Sequence, residues 1–250
     1  MRNLADDAKL LMRRANKHYD EFKQYRDGKI MGPMWDIRHR QVEGGHAYRL
    51  VLNRPMFVEM KPVVADLANN VIHSLDLLVG DLARAGGADR NYSTKFPWIE
   101  KEVDFQGALK GLSKIVGLKA ADAIDSVRKK WNSQLKHVHA LKTVSNLSKH
   151  WELVPTTAGA AAVAWMVPGG QKIWELPKDA FADADEHEFS TVPKLFEGGC
   201  QLLVSFKFAG LGEDFDPTPE TVIDYAMKYA EDIIAAVEQA GPEAPKPMPV

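Results

Sequence analysis

The sequence predicts an α+β protein in which a helical bundle packs on a mostly antiparallel sheet. Two observations carry this prediction. Apolar residues recur every three or four positions over several long stretches, as in amphipathic helices, whereas shorter stretches near residue 40 and after residue 155 alternate, as in strands. We expect the early hairpin and the late strands to share one sheet, which predicts a single domain over residues 1–240.

The first elements are a helix and a hairpin. Asn3 and Asp6 begin an amphipathic helix that we expect to end near Lys23. Residues 34–53 then alternate around a glycine turn, which predicts a β-hairpin. The next helix, predicted from Lys61 to Arg84 with Pro62 in its first turn, is the most prominent in the chain. Its apolar stripe consists of Val64, Leu67, Val71, Leu75, Leu78 and Leu82.

The remaining elements divide into a helical group and a β-rich group. Helices are predicted near 105–116, 120–130 and 133–151, which completes a mainly helical region over residues 1–156. Residues 157–212 are β-rich, with strands at 158–166, 171–176, 186–192 and 200–209, and the acidic third strand is expected at an edge. Thr218 caps a final helix over 218–240. The proline-rich residues 241–250 are expected to be disordered.

Composition restricts the function classes. Of the 250 residues, 45% are hydrophobic and 26% are charged, and the formal net charge of −2 argues against a protein-wide affinity for nucleic acid or membrane. Cys200 is the single cysteine, so we expect no intrachain disulfide and no cysteine-based zinc site. The N-terminal stretch carries acids and lacks the apolar core of a secretory signal. We therefore expect a cytoplasmic protein that does not bind membranes.

Charge is nevertheless uneven along the chain. Residues 107–150 contain nine Lys or Arg against two Asp, whereas residues 178–240 contain fourteen acids against four Lys. Such blocks commonly pair with each other or remain solvated; the alternative is a basic face for a phosphate-bearing partner. The candidate nucleic-acid contacts are Arg128, Lys129, Lys130 and Lys142.

A polar stripe lies beside the apolar stripe of the 61–84 helix, and a second one lies near the end of the 133–151 helix. The candidate polar seam consists of Asp66, Asn69, Asn70, His73, Asp76, Asn146, Lys149 and His150. Three interpretations remain open: a buried hydrogen-bond network, a ligand or divalent-metal site, and a histidine general base held by aspartate. Neither H-E-x-x-H nor a phosphate-loop or dinucleotide pattern occurs, so we assign no metal ligand and no cofactor.

These stretches resemble a family of uncharacterised bacterial proteins. In that family one helix carries a pattern like H-N-L-R-S-A-L-D-H-L, Phe-Pro follows in the next loop, and a later helix ends in N-I-D-K-H-R. The matching positions are Asn70, Asp76, Phe96, Pro97, Asn146, Lys149 and His150. The likeness covers residues 1–210, with departures at Ile72, Leu77 and Trp151. The family has no assigned activity, so the resemblance implies a fold more than a function.

The arginine and histidine of that family pattern are spaced as in the R-x4-H motif of HEPN ribonucleases, which act on RNA without a metal. Ile72 and Leu77 occupy the two positions here, so the motif is degenerate. We expect a non-enzymatic cytoplasmic protein of bacterial type that binds a ligand, a protein partner or RNA. The alternative is a HEPN-like, RNA-directed protein of phage defence or a toxin–antitoxin pair. A third candidate is a metal-dependent hydrolase using His73, Asp76 and His150.

Overall fold

The computed structural model describes residues 4–87, 95–150, 156–167, 170–177, 180–181, 183–195, 200–208, 211, 215 and 217–241, with backbone alone at 148–150, 156–162, 166–167 and 200–207. In chain order the elements are α1 (Asp6–Arg26), β1 (Trp35–Val42), β2 (Gly45–Leu52), α2 (Arg54–Ala85), α3 (Glu102–Val116), α4 (Leu118–Lys130), a 3₁₀ turn (Asn132–Gln134), α5 (Leu135–His150), β3 (Thr156–Val167), β4 (Gly170–Glu175), β5 (Glu186–Val192), β6 (Cys200–Phe208) and α6 (Pro219–Ala240). The predicted α+β class is confirmed. Asn3 and the predicted disordered residues 242–250 lie outside the described part.

The chain divides into two compact units, and neither is continuous in sequence. The helical unit contains Met1–Tyr19, Val64–Leu153 and Glu220–Val250, and the sheet unit contains Asp20–Val63 and Val154–Pro219. That residues 1–240 form a single domain stays a prediction. Each unit is complete only when segments that are distant in the chain come together.

The sheet unit contains two antiparallel sheets, where the sequence predicted one. The hairpin pairs with β5 in the order β1-β2-β5, and the other late strands form a second sheet in the order β4-β3-β6. The single-sheet prediction was wrong because β3 is 12 residues long and bonds a late strand along each of its edges. The acidic strand β5 pairs with β2 alone among the described strands, so its predicted edge position is confirmed.

Aromatic side chains form much of the core of the sheet unit. Tyr48 of β2 contacts Trp165 of β3, with ring centroids 5.3 Å apart. Trp35 lies 5.1 Å from Phe181 in an edge-to-face arrangement. Such contacts add modestly to the large apolar area that aromatic residues bury. The hairpin turn uses Gly44 at φ 83°, a conformation that suits glycine.

Helix α2 is the longest element of the chain. It begins seven residues earlier than predicted, at Arg54, so Pro62 lies inside the helix and not in its first turn. The proline removes the donor that would bond the Val58 carbonyl, but Val58 is 54% exposed and water can replace that bond. The predicted apolar stripe, from Val64 to Leu82, is buried.

Length and composition alone would allow α2 to cross a membrane. However, 67% of its most apolar 18-residue window is buried within the protein. A buried core helix passes the same test of length and hydropathy, so this feature is weak evidence for a membrane span.

Candidate functional site

The polar stripe of α2 makes hydrogen bonds that position neighbouring segments of the helical unit. The buried Ser145 hydroxyl of α5 donates to the Asn69 side-chain oxygen at 2.8 Å. The Phe96 backbone N–H donates to an Asp76 carboxylate oxygen at 3.0 Å. Asp76 therefore holds the loop that precedes α3, and Asn69 helps to set the register between α2 and α5.

The other seam positions do not converge on one point in the described side chains. Asn70 donates to the backbone carbonyl of Asp66 on its own helix at 2.8 Å. His73, Asp66 and Asn146 are exposed. The side chains of Lys149 and His150 lie outside the described part of the chain. Within the described residues no group of three His, Cys, Asp or Glu side chains could hold a metal ion.

Two positions that carry the family resemblance are joined directly. Asp76 belongs to the helix pattern and Phe96 to the Phe-Pro pair, and their hydrogen bond spans 20 residues of chain. Phe96 is also buried, with its ring 5.0 Å from that of Trp98. This contact gives a structural reason for the two residue types to occur together. It bears on packing and leaves the activity open.

The basic segment of α4 is largely neutralised by neighbouring acids. Lys129 lies 2.6 Å from Asp125, and that carboxylate raises the pKa of the lysine. Lys130 lies 2.8 Å from Asp232 of α6. Both lysine side chains are still about two-thirds exposed, at 68% and 69%. Lys142 on α5 is half-buried. The segment is thus accessible at Lys129 and Lys130, but it lacks a run of unpaired charges there.

Arg128 was wrongly assigned to the nucleic-acid contacts, because it is only 2% exposed. Its guanidinium donates to the carbonyls of Ile99 and Glu100 at 3.0 and 2.8 Å and to the Glu102 carboxylate at 3.1 Å. The same group lies 4.1 Å from the centre of the Phe105 ring. Arg128 therefore fastens the segment before α3 to α4, and its bonding capacity is used inside the protein.

An aromatic cluster, defined here as Phe96, Trp98, Trp131, Tyr225 and Tyr229, lies beside Arg128 in the helical unit. Its rings form a continuous series in which neighbouring centroids are 5.0 to 6.3 Å apart. The Trp131 ring nitrogen donates to Asp232 at 2.8 Å, which is the same carboxylate that pairs with Lys130. The cluster joins α4 and α6 to the loop before α3.

Two titratable groups near this cluster are held neutral by burial. Desolvation, assisted by the Arg128 charge, lowers the pKa of His139 to about 4. Desolvation also raises the pKa of Tyr229, because the buried phenolate would be poorly solvated. At neutral pH His139 is therefore an uncharged imidazole. Its Nε2 atom and the Trp98 ring nitrogen are buried without a hydrogen-bond partner among the described residues.

Sequence reasoning missed this cluster because its members come from distant segments. His139 was not among the predicted site residues, and the structure buries much of its side chain. One signal was present: Arg128 lies four positions after Ile124 and falls on the buried stripe of α4. A charged residue at a stripe position indicates a buried, fully bonded cation.

A concave surface of the helical unit lies in a groove between α1 and α6. Its volume is about 300 Å³, and its lining comprises Lys9, Met12, Arg13, Asn16, Glu231, Ile234, Ala235 and Glu238. The floor is apolar, one wall is basic and the other is acidic. An ion pair of 2.5 Å between Lys9 and Glu238 crosses the groove. Arg13 and Glu231 have no ion-pair partner in the described part of the chain.

Comparisons with known proteins identify no relative: no family model, no curated protein and no solved structure matches the chain.

Proposed function

We propose that the protein is an interaction module that binds an amphipathic helix of a partner protein in the groove between α1 and α6. The observation that supports this is the combination of an apolar floor with two walls of opposite charge. Recognition of a helix in a groove uses apolar anchors at helical spacing, and flanking charges select the partner and its direction. The resemblance to bacterial proteins and the lone cysteine support a bacterial, cytoplasmic setting.

The walls define the chemistry of the partner. Arg13 is exposed and unpaired on the α1 side, so a bound helix should present an acidic residue there. Glu231 is exposed on the α6 side and should meet a basic residue. Ala235 is exposed on the floor and leaves room for a larger side chain of the partner.

Selection from a displayed library of helical peptides tests this proposal. We expect enriched peptides to carry apolar residues at i, i+3, i+4 and i+7 together with an acidic flank. Arg13→Glu should weaken their binding by at least about tenfold, since a facing charge is reversed. Arg14→Glu is the matched control, because Arg14 is exposed on the same helix outside the groove lining.

The filling substitution Ala235→Trp separates groove binding from long-range charge effects. It should abolish binding of the enriched peptides without changing the fold, since Ala235 is exposed. Peptides that bind wild type, Arg13→Glu and Ala235→Trp equally would contradict the proposal.

The second candidate function is that of an RNA-directed protein of HEPN-like descent. The observation that favours it is the exposure of the Lys129 and Lys130 side chains next to Trp131. Binding to RNA and single-stranded DNA across a salt series tests it. Micromolar affinity that falls steeply with salt and is lost in Lys129→Glu/Lys130→Glu would support it. Absence of binding at low salt would rule it out.

A further inference from the structure

The outward face of α3 combines an exposed apolar side chain with unpaired charges. Six exposed residues lie on one side of the helix, each within about 60° of their mean direction around the helix axis. They are Val103, Asp104, Gly107, Lys110, Gly111 and Lys114. Val103 is 83% exposed, more than any other large apolar residue in the described part of the chain. These six residues form the α3 face.

The charges of the α3 face are not used within the chain. Asp104, Lys110 and Lys114 make no ion pair with any described residue, whereas Arg128, Lys129 and Lys130 of α4 each do. Asp104 lies near the N-terminal end of the helix and Lys114 near its C-terminal end, about 15 Å apart along the axis. The face is therefore acidic at one end and basic at the other.

The two glycines at the centre of this face have no local explanation. Neither Gly107 nor Gly111 has a positive φ, and a Cβ atom at either position would meet nothing within 4 Å. Glycine inside a helix weakens it relative to alanine. Small residues four positions apart do, however, allow the backbone of a second helix to approach closely.

The positions of the charges and glycines match an antiparallel copy of the same helix. Asp104 precedes Gly107 by three residues, and Lys114 follows Gly111 by three. An antiparallel second α3 that sets its Gly111 beside Gly107 therefore sets its Lys114 beside Asp104. The two-fold symmetry creates this ion pair twice. A parallel pairing would bring like charges together at both ends.

We propose that the α3 face is a self-association surface, on which a second copy of this chain packs antiparallel with Gly107 against Gly111 and Asp104 against Lys114. The same register brings Val103 level with Ile115 of the second copy along the helix axis. One helix of 15 residues buries less area than the roughly 1,600 Å² of a standard interface. The dimer is therefore expected to be weak.

Sedimentation of the full chain over about 5 to 500 μM tests this proposal. Wild type should shift from monomer to dimer within that range, and the shift should weaken at high salt. Gly111→Gln should remain monomeric throughout, because its side chain separates the helices. It should also keep the fold, since the position opens to solvent and Gln favours helix.

Exchanging the two charges tests the register, because only a direct pairing of Asp104 with Lys114 predicts that the double exchange restores the dimer. Asp104→Lys and Lys114→Asp should each weaken dimerisation at least fivefold, and the double exchange Asp104→Lys/Lys114→Asp should restore it. Lys101→Glu is the control, an exposed charge reversal outside the α3 face. A monomeric wild type at 500 μM, a dimer unaffected by Gly111→Gln, or a double exchange without rescue would each overturn the proposal.

Discussion

The helical unit and the sheet unit use arginine in opposite ways. In the sheet unit Arg49 of β2 lies 3.0 Å from Glu186 and 3.5 Å from Glu188 on the outward side of the hairpin sheet, and both glutamates are more than 40% exposed. In the helical unit Arg128 is buried and donates to two backbone carbonyls and a carboxylate. Water can replace the partners of an exposed pair but not those of a buried arginine. The two arginines are therefore expected to contribute very differently to the free energy of unfolding.

Removing the buried arginine should have the largest effect. Arg128→Met should lower the free energy of unfolding by about 3 kcal/mol, because the carbonyls of Ile99 and Glu100 lose their donor. Urea denaturation followed by circular dichroism measures this. The neighbouring substitution Lys129→Met removes only an exposed pair with Asp125 and should leave the free energy of unfolding almost unchanged. Equal costs for the two would show that Arg128 is not buried as described.

Acid should destabilise the helical unit through His139. Its folded pKa of about 4 lies below the ordinary 6.5, so the unfolded chain binds more protons between these values. Stability from this residue is complete above pH 6.5 and falls towards pH 4, by up to about 2 kcal/mol after allowing for partial exposure.

The variant His139→Gln isolates that contribution. Its unfolding free energy should lose this part of the pH dependence between pH 6.5 and 4, whereas His73→Gln, at an exposed position of α2, should keep it. Thermal unfolding at half-unit pH steps measures both. Parallel pH curves for His139→Gln and wild type would mean that the imidazole is solvated in the folded protein.

The smallest effect is expected in the sheet unit. Arg49→Gln should cost about 0.5 kcal/mol near 0.05 M salt and almost nothing near 1 M, because exposed pairs are screened. Urea denaturation at the two salt concentrations measures the difference. If Arg49→Gln lowered the free energy of unfolding as much as Arg128→Met does, the exposed and the buried arginine would not differ as proposed.

Much of the local structure was predictable from periodicity. The strand at Glu186–Val192 and the end of α3 at Val116 agree with their predicted bounds, since alternation and apolar spacing are local properties. The start of α2 was misplaced because Pro62 was interpreted as a first-turn residue. A helix that continues through proline needs an exposed carbonyl four residues earlier, and exposure cannot be inferred from the local sequence.

The candidate site was less predictable. Asp76 and Asn69 were correctly selected as polar residues beside a buried stripe, but their partners Phe96 and Ser145 were not. Arg128 was grouped with its lysine neighbours because a basic helix end is commonly solvated. Its burial depends on the carbonyls of residues 99 and 100, which lie 29 and 28 residues away in the chain.

The sequence by itself determined the α+β class, most helices and strands, the acidic edge strand and the uneven charge, because each depends on neighbours within a few residues. Only the tertiary structure decided which charges are neutralised, which histidine is buried, and which faces remain open. The pairing of Lys130 with Asp232, 102 residues away, illustrates the reason. Burial and electrostatics depend on distances in space, and those distances are set only when all the segments of a unit have packed together.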